Sequence, residues 1–477
     1  MNSLVAPSVS FLAFGAITAL LFNLVQRLAW RRMIVLIAST LFLWAATVGE
    51  SLLPILAFVA LGYVELKVIE SRRVRIVSPM VAITIAAFVW LKQYTFLPSA
   101  TFLHISYTTL GLSYILFRVL HLLVDTSSGE IAGPIGLTSY LVYALNFTTL
   151  VAGPIQRYQE FDKTMREANW PSIVQTGRAI ERIIRGFFKA NVLALMFSML
   201  QASALTRIAN VPDEGSGIVA GAAAIASYTF FLYCNFSGYI DMVLGVAQLL
   251  GISLPENFKR PFAADSFIDF WNRWHITFST WLKTYVYNPL LITLMRQYPA
   301  ESLAPYWAVI AFFVTFFLVG VWHGQTSSFL FFGVLQGLGV SVNKLYDIIL
   351  TATLGRKQVR ALNSHWVYRS LCRGLTFAWF SFTLIWFWSN WAQVAVLSKA
   401  MGWRAIIASL FVMLIAATVG LAAWETTRSL LLKIRYDGTA VLRSRYIRTA
   451  WCTLMVMVSV TSALLLQQAP EIVYKAF

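Results

Sequence analysis

Charge is what this chain has least of. Only 12% of its 477 residues are Asp, Glu, Lys or Arg, whereas a soluble domain carries about a quarter. The longest polar segments, 154–186 and 344–372, are too short to form a soluble domain of their own. Cysteine is scarce too. Cys234, Cys372 and Cys452 lie far apart in apolar segments, without a CxxC or zinc-like spacing, which excludes a disulfide framework and a cysteine metal centre. They read as packing residues. No GxSxG elbow, Walker A loop, GxGxxG or HExxH occurs, so the common signatures of hydrolases, nucleotide binding and zinc peptidases are missing. There is no internal repeat and no low-complexity tract. Acid is the scarcer charge, 20 residues against 37 basic ones. In so apolar a chain the excess Lys and Arg belongs to cytoplasmic loops and anionic lipid, and no nucleic-acid partner is expected.

What is present is apolar length. Hydrophobic residues make up 58% of the chain. Candidate spans lie near 10–26, 33–49, 51–64, 77–91, 102–124, 138–153, 187–204, 218–234, 304–322, 326–343, 374–397, 405–424 and 449–467. At roughly 20 residues per crossing the length allows about ten to twelve spans plus partly inserted segments. The expected fold class is an all-α polytopic membrane protein of about 11 or more transmembrane helices. One integral domain, 1–477, is expected, with N-terminal helices at 1–150, a motif-bearing core at 150–345 and C-terminal helices at 346–477. The segment Ser10–Val25 lacks a basic n-region and a small-residue cleavage site, and reads as a span or anchor.

Basic residues set the orientation. Arg27, Arg31 and Arg32 read as cytoplasmic, as do Lys67–Arg75, Lys344–Arg373 and Arg428–Arg448. Glu50, Asp213 and Glu214 fit the opposite side, which puts both termini outside. Simple alternation through 102–124 and 138–153, however, would place the basic stretch Arg157–Lys189 outside. One of these segments must therefore be re-entrant or broken. Irregular backbone at membrane depth is tolerated only where protein or a water-filled cavity covers it.

Two histidines stand out. Residues 267–290 read FIDFWNRWHITFSTWLKTYVYNPL. As a helix, 265–285 is amphipathic: Phe267, Trp271, Trp274, Phe278, Trp281 and Tyr285 share one side, and Asp265, Asp269, Asn272, His275, Ser279 and Lys283 the other. Asp269 and Arg273 form an i,i+4 pair. An interfacial helix explains the pattern alone; it does not explain His275 beside Asn272 among so many aromatics. His323, in VGVWHG, lies between the apolar runs Trp307–Val321 and Phe329–Val340. These runs suggest a hairpin with His323 at its inner turn, where Gly320 and Gly324 permit close backbone approach. At membrane depth an ionisable residue is a functional candidate. His323 suits a general base, a proton relay, a ligand contact or a structural hydrogen bond. His121 and Asp125 are also spaced to pair on one helix face.

Further candidates carry less pattern. Arg157 and Tyr158, after Gly153–Pro154, suit a donor mouth or an interface anchor. Lys259 and Arg260 suit an anionic donor or lipid. Asp241 suits a site partner or an arginine pair.

Taken together, PFAADSFIDFWNRWHITFSTWLKTYVYNPL followed by VGVWHG resembles the membrane-bound O-acyltransferase family. LVAGPIQRYQEF at 150–161 and FSGYIDMVLGVAQLLGI at 236–252 resemble its bacterial branch, which includes the membrane subunits of alginate O-acetylation and teichoic-acid D-alanylation. The matches run in order over roughly 150–340. The resemblance implies tilted helices around a central tunnel linking donor and acceptor sides. It implies His323 as the catalytic histidine, with His275 at the family's second characteristic polar position. Asn272, Trp271, Trp274, Trp322, Ser279, Arg157 and Asp241 are the candidate substrate-binding residues. The resemblance implies no bound cofactor or metal, a thioester donor (acetyl-CoA or an acyl-carrier protein), an extracytoplasmic acyltransferase partner, and the bacterial inner membrane. SGYIDM and YVYNPL are similar to the polysaccharide O-acetyltransferases, GPIQRYQEFDK and FWNRWH to the D-alanylation branch. Where the former continue into a GGN-type segment, this chain reads Leu291–Ile292–Thr293. Acetyl and D-alanyl transfer both remain open at this point. Broken helices and a midplane histidine also suit a transporter or flippase, which would move substrate without forming acylated product; a scaffold would tolerate loss of both histidines.

Overall fold

The computed structural model describes residues 8–71, 77–210, 214–436, 439–441 and 444–465. The basic positions Arg72, Arg73, Arg75 and Arg443, together with Asp213, lie outside the described residues. The chain forms two compact units. Of the described residues, those up to Asn191 and Asn235–Glu256 form the first, and Val192–Cys234 and those from Asn257 on form the second.

Helices run in this order: α1 (Val9–Leu24), α2 (Leu28–Ala46), α3 (Leu53–Glu70), α4 (Val77–Leu91), α5 (Leu112–Ser127), α6 (Leu137–Ala144), α7 (Tyr158–Glu167), α8 (Ile173–Phe188), α9 (Ala194–Asn210) and α10 (Glu214–Leu249). Then come α11 (Phe267–Trp271), α12 (Ile276–Leu282), α13 (Asn288–Gln297), α14 (Ala304–His323), α15 (Ser327–Ser364), α16 (Trp366–Thr383), α17 (Ile385–Trp388), α18 (Trp391–Lys433) and α19 (Arg445–Leu465). A two-residue antiparallel ladder, β1 (Arg435–Tyr436) with β2 (Thr439–Ala440), is the one sheet among the described residues. Eight helices among the described residues are long and apolar enough to cross a bilayer, and Val9–Leu24 and Val77–Leu91 are shorter apolar helices. The protein is a multi-pass membrane protein.

Several expected boundaries are corrected. The segment 138–153 is not a span: α6 has 8 residues, about 12 Å of helix, and then gives way to turns. The segment 102–124 becomes helical only at Leu112, after the left-handed Gly111. The polar stretches 154–186 and 344–372 are largely helical. Ile173–Asn210 runs as one candidate span through a π-helical turn at Lys189–Leu193. α15 and α18 continue across kinks at Gly355 and Gly402 (φ 76° and 74°), a left-handed conformation that glycine adopts without steric penalty.

In the first unit, buried polar side chains fasten the irregular stretch after α6. Arg118 donates to the carbonyls of Ala144 and Thr149, each at 2.6 Å. His121 Nδ1 lies 3.2 Å from Asp125 Oδ2, and its Nε2 accepts the Tyr158 backbone N–H at 2.9 Å. The His121–Asp125 spacing is thus realised as a clamp on the start of α7. Asp241 on α10 is a charge hub for the basic side of α8. It accepts from Arg182 at 3.0 Å and from Lys189 at 2.8 Å, with Arg185 at 3.6 Å. Arg182 also grips Glu256 with both terminal nitrogens, at 2.7 and 2.5 Å. Asp241→Asn keeps an acceptor but removes the charge that three cations share. It is expected to lower stability by about 2 kcal/mol, read as a lower midpoint of thermal unfolding in detergent.

The second unit contains the α14–α15 hairpin. A Cβ placed on Gly320 would collide with the backbone of Gly333 and the carbonyl of Phe329, so the two helices cross in direct backbone contact. An aromatic block packs beside it: Phe270 lies 4.4 Å from Phe380 and 5.6 Å from Trp274, and Trp274 lies 5.1 Å from both Phe258 and Phe380.

Candidate active site

The expected single helix over 265–285 is broken. α11 starts on Ser266, whose hydroxyl accepts the Asp269 N–H at 3.1 Å, and it ends at Trp271. Asp269 holds Arg273 at 2.8 Å, as the spacing predicts. His275 then adopts a left-handed backbone (φ 46°, ψ 52°) and caps α12. A non-glycine residue held there stores roughly 1–3 kcal/mol and persists only where its surroundings enforce it.

The enforcing segment is residues 257–259. The Ile276 N–H donates to the Asn257 carbonyl at 3.0 Å and the Lys259 N–H to that of Arg273 at 2.9 Å. Phe258 and Trp274 form an isolated antiparallel bridge between these donors. The Asn257 side-chain oxygen takes the Thr277 N–H at 3.1 Å and the Thr277 hydroxyl at 2.9 Å, and lies 3.2 Å from His275 Nδ1. Asn257 is missing from the sequence-level candidates. An asparagine near Pro255 reads as a turn residue, and nothing in the spacing ties it to a histidine eighteen positions later.

His323 ends α14, and the turn Gly324–Thr326 leads into α15, so the expected hairpin with His323 at its turn is present. The two histidines are 1% and 4% exposed, and both pack against Trp322. The Trp322 ring centroid is 4.5 Å from His323 and 6.5 Å from His275, with Phe278 4.6 Å away. Phe387 and Phe332 wall the other side of His323 at 5.0 and 5.8 Å. Two imidazoles on one buried indole, walled by phenyl rings, make a site where a proton can be taken up largely out of reach of bulk water.

A sequence model for the membrane-bound O-acyltransferase family matches residues 74–387, a stretch that holds both histidines and Asn257. The chain belongs to the membrane-bound O-acyltransferase family. The match extends well beyond the 150–340 over which the motifs are readable by eye. Among similar proteins, the chain is 28% identical over 242 residues to a teichoic acid D-alanyltransferase of Bacillus subtilis, covering 50% of this chain and 59% of that one. It is 29% identical over 239 residues to a probable alginate O-acetylase AlgI of Pseudomonas syringae, covering 50% and 43%. It is 35% identical over 225 residues to a peptidoglycan O-acetyltransferase of Helicobacter pylori, covering 44% and 38%. The chain therefore spans less than two thirds of the length of each of these relatives.

The other expected site residues of this O-acyltransferase family member are placed as follows. Trp322 is at the site, and Trp271 and Trp274 are buried in the same unit, with Trp271 against Phe316 at 5.0 Å. Ser279 is half-buried and its hydroxyl donates to the Trp274 carbonyl at 3.3 Å. Asn272 is exposed at the end of α11, and it is Asn257 that meets His275. Asn272→Ala is accordingly expected to change acyl-transfer rate by less than about threefold in initial-rate assays. Lys259 is exposed, and Arg260 is paired with Glu425. Arg157 and Asp241 belong to the first unit; Arg157 pairs with Glu130 at 3.3 Å, and Asp241 takes the arginine-pair role.

Proposed function

We propose that this chain is a membrane O-acyltransferase of the bacterial inner membrane. It moves an acyl group from a cytoplasmic thioester to a hydroxyl of a cell-envelope polysaccharide or of an extracytoplasmic partner protein. The observation that carries the reading is the pair of buried histidines on Trp322 within the segment that matches the family. His323 takes the proton of the acceptor hydroxyl as its oxygen attacks the thioester carbonyl. The carbon–sulfur bond breaks, and His323 returns the proton to the departing thiolate. General-base help of this kind contributes about 10²–10⁴-fold. The donor is acetyl-CoA or an acyl-carrier protein, and no bound cofactor takes part.

Acetyl is the favoured group. Two of the three relatives above are named for O-acetylation, and SGYIDM and YVYNPL are similar to that branch. D-alanyl transfer is the second reading, favoured by the name of the Bacillus subtilis relative. Mass spectrometry of envelope polymers from cells with and without the protein tests both. An acetyl ester present only with the protein is expected. A D-alanyl ester in its place selects the second reading, and identical polymers contradict both.

A further inference from the structure

Asn257 is wholly buried, and the two ends of its amide are in different situations. One end faces the Thr277 backbone N–H at 3.1 Å. A backbone amide can only donate, so the atom facing it is the amide oxygen; the flipped orientation would set two donors against each other. That same oxygen lies 3.2 Å from His275 Nδ1. An amide oxygen only accepts, so in the neutral imidazole Nδ1 carries the proton and Nε2 carries the lone pair. The backbone bonds of residues 257 and 259 to residues 276 and 273 fix the segment on both sides of His275, so the ring has little freedom to exchange this partner.

We infer that Asn257 is a positioning residue that locks His275 in the Nδ1–H tautomer, so that His275 meets the acceptor as a hydrogen-bond acceptor. Polarising the donor carbonyl would need an N–H on Nε2, which this tautomer lacks. The inference rests on the acyl-transfer reading and narrows its substrate. Two proton-accepting imidazoles against one indole suit an acceptor with neighbouring hydroxyls, as in a sugar. The reacting hydroxyl gives its proton to His323, and a second hydroxyl donates to His275 Nε2. The other end of the Asn257 amide, Nδ2, is buried and has no hydrogen-bond partner among the described residues.

The test is nitrogen NMR of the full-length protein in lipid nanodiscs, labelled at its 5 histidines, with the His275 signals identified by their loss in His275→Gln. The expected spectrum has a protonated Nδ1 and an unprotonated Nε2. Asn257→Leu is expected to mix the tautomers and lower transfer by about ten- to a hundredfold. A wild-type His275 protonated on Nε2 overturns the inference, as does a folded Asn257→Leu with unchanged spectrum and rate. Should the leucine variant fail to fold, the wild-type spectrum still decides. Absence of transfer by the wild type contradicts the acyltransferase reading and leaves the tautomer result standing.

Discussion

Replacing His323 with glutamine is expected to lower acyl transfer by about a thousandfold, within the range that a general base contributes. Glutamine is preferred to alanine for this comparison. His323 is buried among Trp322, Phe332 and Phe387, and truncation to alanine would leave a cavity whose penalty confuses a catalytic effect with a structural one. Glutamine fills most of the volume and retains hydrogen bonding but cannot take up the proton. The drop should fall on the maximal rate, with the donor concentration for half-saturation little changed. That pattern marks a group that acts in the transition state rather than in donor binding. Initial rates with labelled donor, at matched amounts of folded protein, check it.

The second large effect is expected at Gly320. Its hypothetical Cβ meets backbone atoms of Gly333 and Phe329, and backbone cannot rotate aside as a side chain can. Gly320→Leu must force α14 away from α15. Overpacking of this kind costs about 3 kcal/mol, the upper end for a core insertion. His323 sits three residues further along the same helix, so the separation also shifts the imidazole from its aromatic walls. Loss of transfer and a clearly lower thermal midpoint by tryptophan fluorescence are expected together. Gly420→Ala in α18 is the control. A Cβ there meets nothing within 4 Å, so the helix propensity of alanine should leave stability equal or slightly raised.

Much of this site was legible in the sequence because its signals are local. The apolar runs around His323 and the glycines at 320 and 324 predict the hairpin, and the Asp269–Arg273 and His121–Asp125 spacings predict pairs that form. The failures around His275 share one physical cause. The helical period through 265–285 is genuine, yet the helix breaks at His275 because a distant segment, Asn257–Lys259, pairs with residues 273–276 and enforces a left-handed residue. Periodicity reports which side chains prefer burial and carries no information about a backbone partner from another part of the chain. Asn272 looks like the polar neighbour of His275 only if the helix is continuous. Once it breaks, Asn272 turns outward and Asn257 takes its place. The stretch 138–153 is apolar enough to span but lacks helical continuity after Ala144, where Arg118 captures the carbonyls of Ala144 and Thr149.

The most direct test is covalent transfer by the purified protein in proteoliposomes. Isotope-labelled acetyl thioester is supplied on one side and a polysaccharide acceptor on the other, and the acceptor is analysed by mass spectrometry. The expected result is labelled O-acyl ester on the acceptor with wild-type protein and almost none with His323→Gln. Label that crosses with its thioester intact, or an undiminished yield of ester from His323→Gln, would contradict the account.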